Sequence, residues 1–307
     1  MNNYDLIIIG AGPAALTASV YASRYKVNHV VIGQNMGGMM TQAHKICNWP
    51  GEKEISGFDL GIKMKEHAES YGAKIIETKV SQIRKVDNLF IADVDGVEYS
   101  APTILLATGT IHHSLGLPNE NKYLGHGLSY CATCDAMFFR NKNVGVIGGG
   151  NSALTAALHL AEIASKVYLI VRRDSFRGDP VWIEQAENNN KIEIIFNTNV
   201  SEMIGEKKLE AIKLDKEHNN SDQLLIDGLF VEIGSSPQTE FFDALKIDID
   251  PQNYINVSAD QATNIPGIYA AGDITGGSNQ LHQVITACAE GAVAASSIFK
   301  YLQKIKA

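Results

Sequence analysis

Two stretches of the chain repeat one pattern, in which a short apolar run leads through a glycine-rich turn into an alanine-rich helix. The first stretch has an apolar run from Tyr4 to Ile9, a turn at 10–15 and a helical pattern to about Tyr25, before a second apolar run at His29–Ile32. Short apolar runs bounded by turns are typical of buried parallel strands. The pattern therefore predicts a strand–turn–helix–strand unit.

The second stretch begins 138 residues later, counted from Gly10 to Gly148. It predicts a strand at Asn143–Ile147, a turn at 148–153, a helix at Leu154–Ala164 and a strand at Val167–Val171. Repetition at this distance indicates a duplicated domain rather than a short repeat.

The rest of the chain completes the two units. We expect strands at Thr103–Gly109 and Gly267–Asp273, hairpins near Phe90–Tyr99 and Leu209–Asp215, and a closing helix at about Gln283–Tyr301. The predicted fold class is α/β, with two Rossmann-like nucleotide-binding domains, the second inserted into the first. The predicted boundaries give an outer domain of residues 1–113 and 242–307 and an inserted domain of residues 114–241.

Composition narrows the class of protein. The chain has 307 residues and a net charge of −8, which does not favour binding to a phosphate backbone, so we expect no nucleic-acid partner. The longest apolar stretch, Leu6 to Ala22, contains Gly10, Gly12 and Pro13 and is too broken to span a membrane. Four cysteines are too few for a disulfide scaffold. We expect a soluble cytoplasmic protein.

The first turn has the spacing Gly10-x-Gly12-x-x-Ala15. In a nucleotide site the first glycine permits the tight turn, the second lets the backbone approach a pyrophosphate, and the small third residue lets helix and strand pack closely. A glycine turn that serves packing alone is the other reading. The second strand runs into Gly33 and Gln34 without the acidic residue that often binds ribose, so we expect Gln34 and backbone groups to hold the adenosine end.

The second turn has the same spacing, Gly148-x-Gly150-x-x-Ala153. Its second strand ends at Arg172-Arg173, and Arg177 follows. Guanidinium groups at this place suit a ribose 2′-phosphate, which favours NADPH over NADH, although a solvated basic loop would look the same.

The sequence Cys131-Ala132-Thr133-Cys134-Asp135 carries the redox chemistry. The CxxC spacing permits a reducible disulfide and lowers a thiol pKa. Asp135 is a candidate acid for the departing thiolate. The chain has no second CxxC for a zinc site, and we expect no metal. An inert buried pair is the alternative, and the isolated Cys47 and Cys288 are interpreted as structural or incidental.

With these motifs in order, the chain resembles the low-molecular-weight thioredoxin reductases of bacteria and archaea over essentially its full length. The matching segments are Gly10–Ala15, Gly37-Gly38, Asn48-Trp49-Pro50-Gly51, Ala107-Thr108-Gly109, Cys131–Asp135, Gly148–Ala153, Arg172–Arg177 and Ala271-Gly272-Asp273.

The resemblance implies a homodimer that passes electrons from NADPH through FAD and the Cys131–Cys134 disulfide to a thioredoxin-like protein. Cys134 would face the flavin, Cys131 would attack the partner disulfide, and Asp135 would protonate the departing thiolate. The implied FAD-binding residues are Gly10, Gly12, Pro13, Ala14, Gly33, Gln34, Gly37, Gly38, Met39, Asn48, Val80, Ala107, Thr108, Gly109, Gly272, Asp273, His282, Gln283 and Val284. The implied NADPH-binding residues are Gly148, Gly150, Asn151, Ser152, Ala153, Arg172, Arg173 and Arg177.

Three positions depart from the family pattern. Val171 replaces a histidine before the arginine pair, Thr155-Ala156 replaces a glutamate pair, and His282-Gln283-Val284 replaces Arg-Gln-Ala. These changes concern the nucleotide and flavin sites, so a ferredoxin-linked donor, an NADH-linked enzyme and a flavin-bearing redox sensor remain alternatives.

Overall fold

The chain packs as two compact units. The computed structural model describes residues 2–237 and 239–307. The outer unit comprises the residues up to Ile111 together with those from Ser236 onward, and the inserted unit is His112–Ser235. The sequence-based limits of the inserted domain were 114 and 241.

The elements of the first outer segment alternate short strands with two helices. They are β1 (Asn2–Asn3), β2 (Leu6–Ile9), α1 (Pro13–Arg24), β3 (His29–Ile32), α2 (Gly57–Ser70), β4 (Lys74–Ile76), β5 (Gln82–Val86), β6 (Leu89–Val94), β7 (Val97–Ala101), β8 (Thr103–Leu106) and β9 (Thr110–His112).

The elements that follow complete the chain, which returns to the outer unit within β18. They are α3 (Glu120–Tyr123), β10 (Leu128–Ser129), α4 (Ala132–Asp135), β11 (Asn143–Ile147), α5 (Asn151–Ile163), β12 (Lys166–Val171), α6 (Pro180–Glu187), β13 (Ile192–Phe196), β14 (Val200–Ile204), β15 (Ala211–His218), β16 (Ser221–Leu225), β17 (Gly228–Val231), β18 (Ser235–Pro237), β19 (Ile268–Ala270) and α7 (Val284–Lys306). Short 3₁₀ turns lie at Gly38–Gln42, Ala136–Phe139, Glu240–Leu245 and Ser278–Gln280.

The central sheet of the outer unit is parallel, in the order β19-β8-β2-β3-β4. Both of its faces are buried. Ile7 and Ile9 of β2 belong to one apolar cluster, whereas Leu6 and Ile8 belong to the cluster on the opposite face. Burial on both faces is why the sequence shows continuous apolar runs here instead of alternation.

Helices α1 and α7 pack together on one face of that sheet through small residues such as Ala18 and Ala294. The approach is closest at Gly291, where an added Cβ would lie 2.2 Å from the carbonyl oxygen of Ala14. Because Gly291 has no side chain, α7 can pack directly against the backbone of α1.

The sheet of the inserted unit is also parallel, in the order β10-β17-β11-β12-β13. Its two faces again belong to separate apolar clusters, one with Val144 and Val146, the other with Ile147 and Ile170. Strands β12 and β17 lie on opposite sides of β11, so a crevice is expected at the carboxyl end of β11, where ligands bind in open α/β sheets.

The hairpins expected from alternating segments are present in antiparallel sheets, β14-β15-β16 and the β7-β6-β5 part of β1-β7-β6-β5. The α/β class with two parallel nucleotide-binding sheets is confirmed. In the described part of the chain, no helix is both long enough and apolar enough to cross a membrane.

The Gly291–Ala14 contact generates a stability prediction. Helix propensity alone would make Gly291→Ala stabilising by about 1 kcal/mol. Because the new methyl group would overlap the Ala14 carbonyl, we expect the variant to lose about 1–3 kcal/mol of unfolding free energy instead. Urea denaturation measures the effect, with Val293→Ala at an exposed position of α7 as the control. A Gly291→Ala protein at least as stable as wild type would contradict this packing.

Candidate functional site

In the outer unit, the first glycine turn lies against the end of β8. Gly10 has φ +116°, and a Cβ there would lie 2.1 Å from the carbonyl oxygen of Ala107. Only glycine fits, and the close approach brings the Gly10–Gly12 turn beside Ala107 and Thr108. The turn and the Ala-Thr-Gly segment, which are distant in sequence, thus form one edge of a site.

Two further glycine segments meet the same turn. The Gly37 N–H donates to the Ala11 carbonyl at 2.8 Å, and a Cβ on Gly38 would lie 3.0 Å from the Cα of Gly12. A Cβ on Gly33 would lie 2.7 Å from the backbone of Gly10. Backbone without side chains therefore surrounds the start of α1.

This cradle fits a dinucleotide such as FAD. Helix α1 begins after Gly12 with no side-chain cap, which leaves its positive end open to an anion. The hydroxyl oxygen of Thr108 and Nε2 of His282 are buried, and neither has a hydrogen-bond partner within residues 2–237 and 239–307. A buried polar atom without a partner is unfavourable by about 1–3 kcal/mol, so both atoms are suited to a polar ligand.

Glu290 holds the Gly272–Asp273 turn, which contributes two of the predicted flavin-binding residues. Its buried carboxylate accepts the Gly272 N–H at 2.7 Å and the hydroxyls of Thr275 at 3.2 Å and Ser278 at 2.5 Å. Gly272 in turn would place a Cβ 3.0 Å from that of Ala14 at the start of α1. Our sequence reasoning missed Glu290, although an acid inside the otherwise apolar and small-residue run of α7 was a usable signal.

The carboxyl group of Asp273 lies in a crowded electrostatic environment. Burial raises the pKa of Asp273, the nearby His282 opposes this shift, and Glu290 adds to it. The His282 ring stands 5.1 Å from that of Tyr254, and burial together with Asp273 raises the pKa of the Tyr254 phenol. Any ligand of Asp273 must therefore satisfy a carboxyl group that water reaches poorly.

Not every predicted flavin residue is tied to this cradle. Asn48 donates to Gln283 at 2.9 Å, which joins two of them just before α7, and Met39 accepts a hydrogen bond from Thr110 at 3.2 Å. Of the other predicted residues, Pro13 and Val284 begin α1 and α7, and Gly109 follows Thr108 with φ +64°. Gln34 is exposed, and Val80 lies in the apolar core.

The second glycine turn, in the inserted unit, repeats the construction of the first. Gly148 has φ +144°, and a Cβ there would lie 2.2 Å from the carbonyl oxygen of Glu232, which follows β17, and 2.8 Å from the Cβ of Ala153. A Cβ on Gly150 would meet nothing within 4 Å. Helix α5 begins at Asn151 without a side-chain cap. The turn thus presents open backbone at a helix N-terminus.

The three arginines lie on the loop after β12, which contacts this turn. The Arg177 N–H donates to the Gly149 carbonyl at 2.7 Å, and the Asn151 side chain accepts the Asp179 N–H at 2.6 Å. Arg172, Arg173 and Arg177 are exposed, and none of them forms an ion pair within the described ranges. The Arg177 backbone thus ties this basic loop to the turn, and exposed guanidiniums on such a loop suit a phosphate group.

Glu232 is a second residue that our sequence reasoning missed. It follows β17 beside the crevice, and its N–H donates to the Ile147 carbonyl at 2.8 Å. Burial raises the pKa of its carboxyl group to about 7. A carboxyl group that titrates near neutrality thus lies next to the second glycine turn.

Cys131 and Cys134 are joined in a disulfide, with Cα atoms 5.3 Å apart. Cys131 caps the short helix α4, and its sulfur accepts the Cys134 N–H at 3.2 Å. The hydroxyl of Ser129 accepts the Cys131 N–H at 3.0 Å. The Asp135 N–H donates to the Cys131 carbonyl at 3.2 Å. The sulfur of Cys131 is therefore oriented toward a donor that would stabilise its thiolate.

The disulfide is open to other molecules. Cys134 is exposed and Cys131 half-buried, whereas Ala132 and Ala136 anchor the motif in the apolar cluster of α5. Just beyond it, Met137 and Phe138 are 58% and 71% exposed. Outside the motif, Cys47 is exposed and Cys288 buried, and burial raises the pKa of the Cys288 thiol.

Comparison with known proteins agrees with this geometry. Residues 4–291 match the family described as pyridine nucleotide-disulphide oxidoreductase. The chain is 37% identical over 311 residues to a thioredoxin reductase of Peptoclostridium acidaminophilum, covering 98% of each protein. It superimposes on the crystal structure of Lactococcus lactis thioredoxin reductase in its FR conformation with a TM-score of 0.93 at 33% identity, covering 98% and 99% of the two chains.

A more distant match bears on the electron donor. The crystal structure of a ferredoxin-flavin thioredoxin reductase from Clostridium acetobutylicum gives a TM-score of 0.55 at 28% identity, covering 100% of this chain and 99% of that one. A second structure of that Clostridium enzyme is 33% identical, so it differs from the Lactococcus lactis match in TM-score, 0.54 against 0.93, and not in identity or coverage. The chain belongs to the pyridine nucleotide-disulphide oxidoreductase family and, within it, to the low-molecular-weight thioredoxin reductases.

Proposed function

We propose that this protein uses NADPH to reduce the disulfide of a thioredoxin-like protein, by way of FAD and the Cys131–Cys134 pair. The observation that carries the proposal is the position of that disulfide. It lies on a short helix packed against α5, the helix that begins at the second glycine turn. A redox pair and a nucleotide turn thus share one rigid unit.

Membership of the family implies FAD and a nicotinamide nucleotide, which when bound supply the two-electron transfer. We assign FAD to the cradle formed by Gly10, Gly12, Thr108 and Asp273, and the nicotinamide nucleotide to the turn at 148–153. The residues of each site bind and orient these groups. The buried, unpartnered hydroxyl of Thr108 supports the first assignment, and the open backbone at Gly150 supports the second.

The thiol steps use this chain's own residues. Two electrons and two protons convert the Cys131–Cys134 disulfide into a dithiol. The Cys131 thiolate, favoured by the Cys134 N–H, attacks the partner disulfide, so that one sulfur–sulfur bond forms as another breaks. We assign to Asp135 the transfer of a proton to the departing thiolate. The Cys134 thiolate then attacks Cys131, which releases the reduced partner and restores the disulfide.

A protein is the substrate best suited to this surface. The exposed Met137 and Phe138 beside the disulfide form an apolar surface of the kind that binds another protein. A thioredoxin-like partner, a homodimeric assembly and a cytoplasmic location belong to the proposal. The acidic charge of −8 does not favour nucleic acid.

NADPH is the donor that the basic loop favours. Each charge-assisted arginine–phosphate hydrogen bond contributes about 1.5–3 kcal/mol, and every 1.4 kcal/mol is about a tenfold change in affinity. Two such contacts favour NADPH over NADH by about two orders of magnitude or more. The ferredoxin-linked alternative is less favoured, because the loop keeps Arg172, Arg173 and Arg177 exposed beside the turn.

Turnover tests the function, and the cysteine variants test the roles. Under anaerobic conditions we expect NADPH to bleach the yellow protein and oxidised thioredoxin to yield free thiols, which are counted colorimetrically. Cys131→Ser and Cys134→Ser should both abolish thiol release. Only Cys131→Ser should show a long-wavelength charge-transfer band, because it leaves the flavin-facing Cys134 thiolate.

Two outcomes would contradict this account. Thiol release by either serine variant would remove the pair from the reaction. A charge-transfer band in Cys134→Ser alone would reverse the assigned roles.

The donor prediction concerns the two arginines after β12. The double variant Arg172→Ala and Arg173→Ala should lose most of the preference for NADPH, because it loses the phosphate contacts, while NADH activity stays nearly unchanged. Anaerobic stopped-flow reduction with each nucleotide measures the ratio. Lys216→Ala, which removes one exposed charge from β15, is the control. A ratio unchanged from wild type would show that the arginines are only a surface feature.

Glu232 gives a pH prediction at the proposed nicotinamide site. The pKa of its carboxyl group is raised to about 7 by burial, so the folded protein keeps a proton that the unfolded chain releases near pH 4.5. Stability therefore falls as the pH rises from about 4.5 to 7. We expect Glu232→Gln to be about 3 kcal/mol more stable than wild type at pH 8, with the gain shrinking toward pH 5.

Urea denaturation at pH 5 and pH 8 measures this gain. Glu202→Gln, at an exposed position of β14, should behave as wild type at both values. An equal difference between Glu232→Gln and wild type at the two pH values would contradict the raised pKa.

A further inference from the structure

Cys131 is reached by a short link that no regular element supports. Strand β10 ends at Ser129, where it pairs with β17, and helix α4 begins at Ala132. Tyr130 and Cys131 lie between them. The backbone of Cys131 is bound by the Ser129 hydroxyl, which accepts its N–H at 3.0 Å. The Tyr130 side chain makes further contacts beside this link.

The Tyr130 hydroxyl donates a hydrogen bond to the carboxylate of Glu120. The same carboxylate accepts the N–H groups of Leu115 at 2.8 Å and Gly116 at 2.9 Å. Glu120 thus joins the segment through which the chain enters the inserted unit to the residue before the redox pair. Burial raises the pKa of the Tyr130 phenol and the bond to Glu120 raises it further, so this donor stays protonated.

Tyr130 has an open cavity on one side and packed side chains on the other. One side of the residue borders a cavity of about 630 Å³, which Leu117, Leu124 and Leu128 also line. The His112 ring stacks on Tyr130, with centroids 6.2 Å apart. Tyr130 also packs against the apolar cluster that contains Leu128 and Leu229, and the hydroxyl bond to Glu120 adds a directional contact to that packing.

We propose that Glu120 and Tyr130 are positioning residues for Cys131, which hold its sulfur in the orientation that receives the Cys134 N–H. The inference rests on the proposed function, in which the Cys131 thiolate is the attacking group. Neither residue touches a reacting atom. Their effect is on the fraction of Cys131 present as thiolate, because a sulfur turned away from the Cys134 N–H loses the stabilisation of its charge.

The test measures thiol reactivity in the full-length holo-protein. The protein is reduced with excess dithiothreitol, desalted anaerobically and treated with iodoacetamide between pH 5 and 10, and alkylated Cys131 is quantified by mass spectrometry. Tyr130→Phe retains every titratable side chain of α3, β9, α4 and α5, among them Glu120, His112, Asp135 and His159. We expect Tyr130→Phe to raise the midpoint of Cys131 alkylation by about half to one pH unit.

Three further variants locate the cause. Glu120→Ala should give a shift like that of Tyr130→Phe, and Glu120→Gln, which retains one acceptor oxygen, a smaller one. The double variant of Tyr130→Phe and Glu120→Ala should shift no further than the larger single variant, since both remove one bond. Leu124→Ala, which lines the same cavity without joining the bond, should leave the midpoint unchanged.

Several results would overturn the inference. They are an unshifted midpoint in Tyr130→Phe, additive shifts in the double variant, and an equal shift in Leu124→Ala. The measurement uses neither NADPH nor thioredoxin. A shifted midpoint in a protein that fails to reduce thioredoxin would therefore contradict the proposed function and support the positioning role, and the reverse outcome would do the opposite.

Discussion

The structure depends on one close contact in each unit, in which a glycine backbone lies directly against the backbone of a neighbouring strand end. In the outer unit the missing Cβ of Gly10 admits the Ala107 carbonyl, and in the inserted unit that of Gly148 admits the Glu232 carbonyl. Each contact brings the end of a neighbouring strand next to the N-terminus of a helix. The helix N-terminus, the open turn and the residues after the adjacent strand can then act on one ligand. A single methyl group at either glycine would separate these parts.

The same contact explains why the two units share a strand–turn–helix arrangement although their surrounding side chains differ. The first turn is bordered by the Thr108 hydroxyl, which has no partner in the described part of the chain, and by Asp273, whose neighbour Gly272 is bound by Glu290 of α7. The second is bordered by exposed arginines and by Glu232. The glycine turn before an uncapped helix is common to both, whereas the side chains around it are not. The redox disulfide belongs to the second unit because its short helix packs against the apolar face of α5.

Much of this fold was predictable from local pattern. Strands β3 and β11 have the predicted limits, because a strand buried on both faces has only apolar residues between its turns. Helix α5 begins three residues earlier than expected, since Asn151 enters the helix directly from the glycine turn. The contacts of Glu290 and of the Glu120–Tyr130 pair were not predictable in this way. Each depends on which distant backbone N–H lies nearby, and sequence spacing does not give that distance.

The seating of α7 against α1 has a consequence for how the protein is made. The two helices lie at opposite ends of the chain, and Lys306 pairs with Asp5 at 2.7 Å. On the ribosome, the outer sheet must wait for the final residues before its helical face is covered, whereas the inserted unit is a contiguous segment that can close on itself earlier. A truncated product that ends before Val284 would leave the apolar surface of α1 uncovered, and exposed apolar surface of this kind makes incomplete chains prone to aggregation.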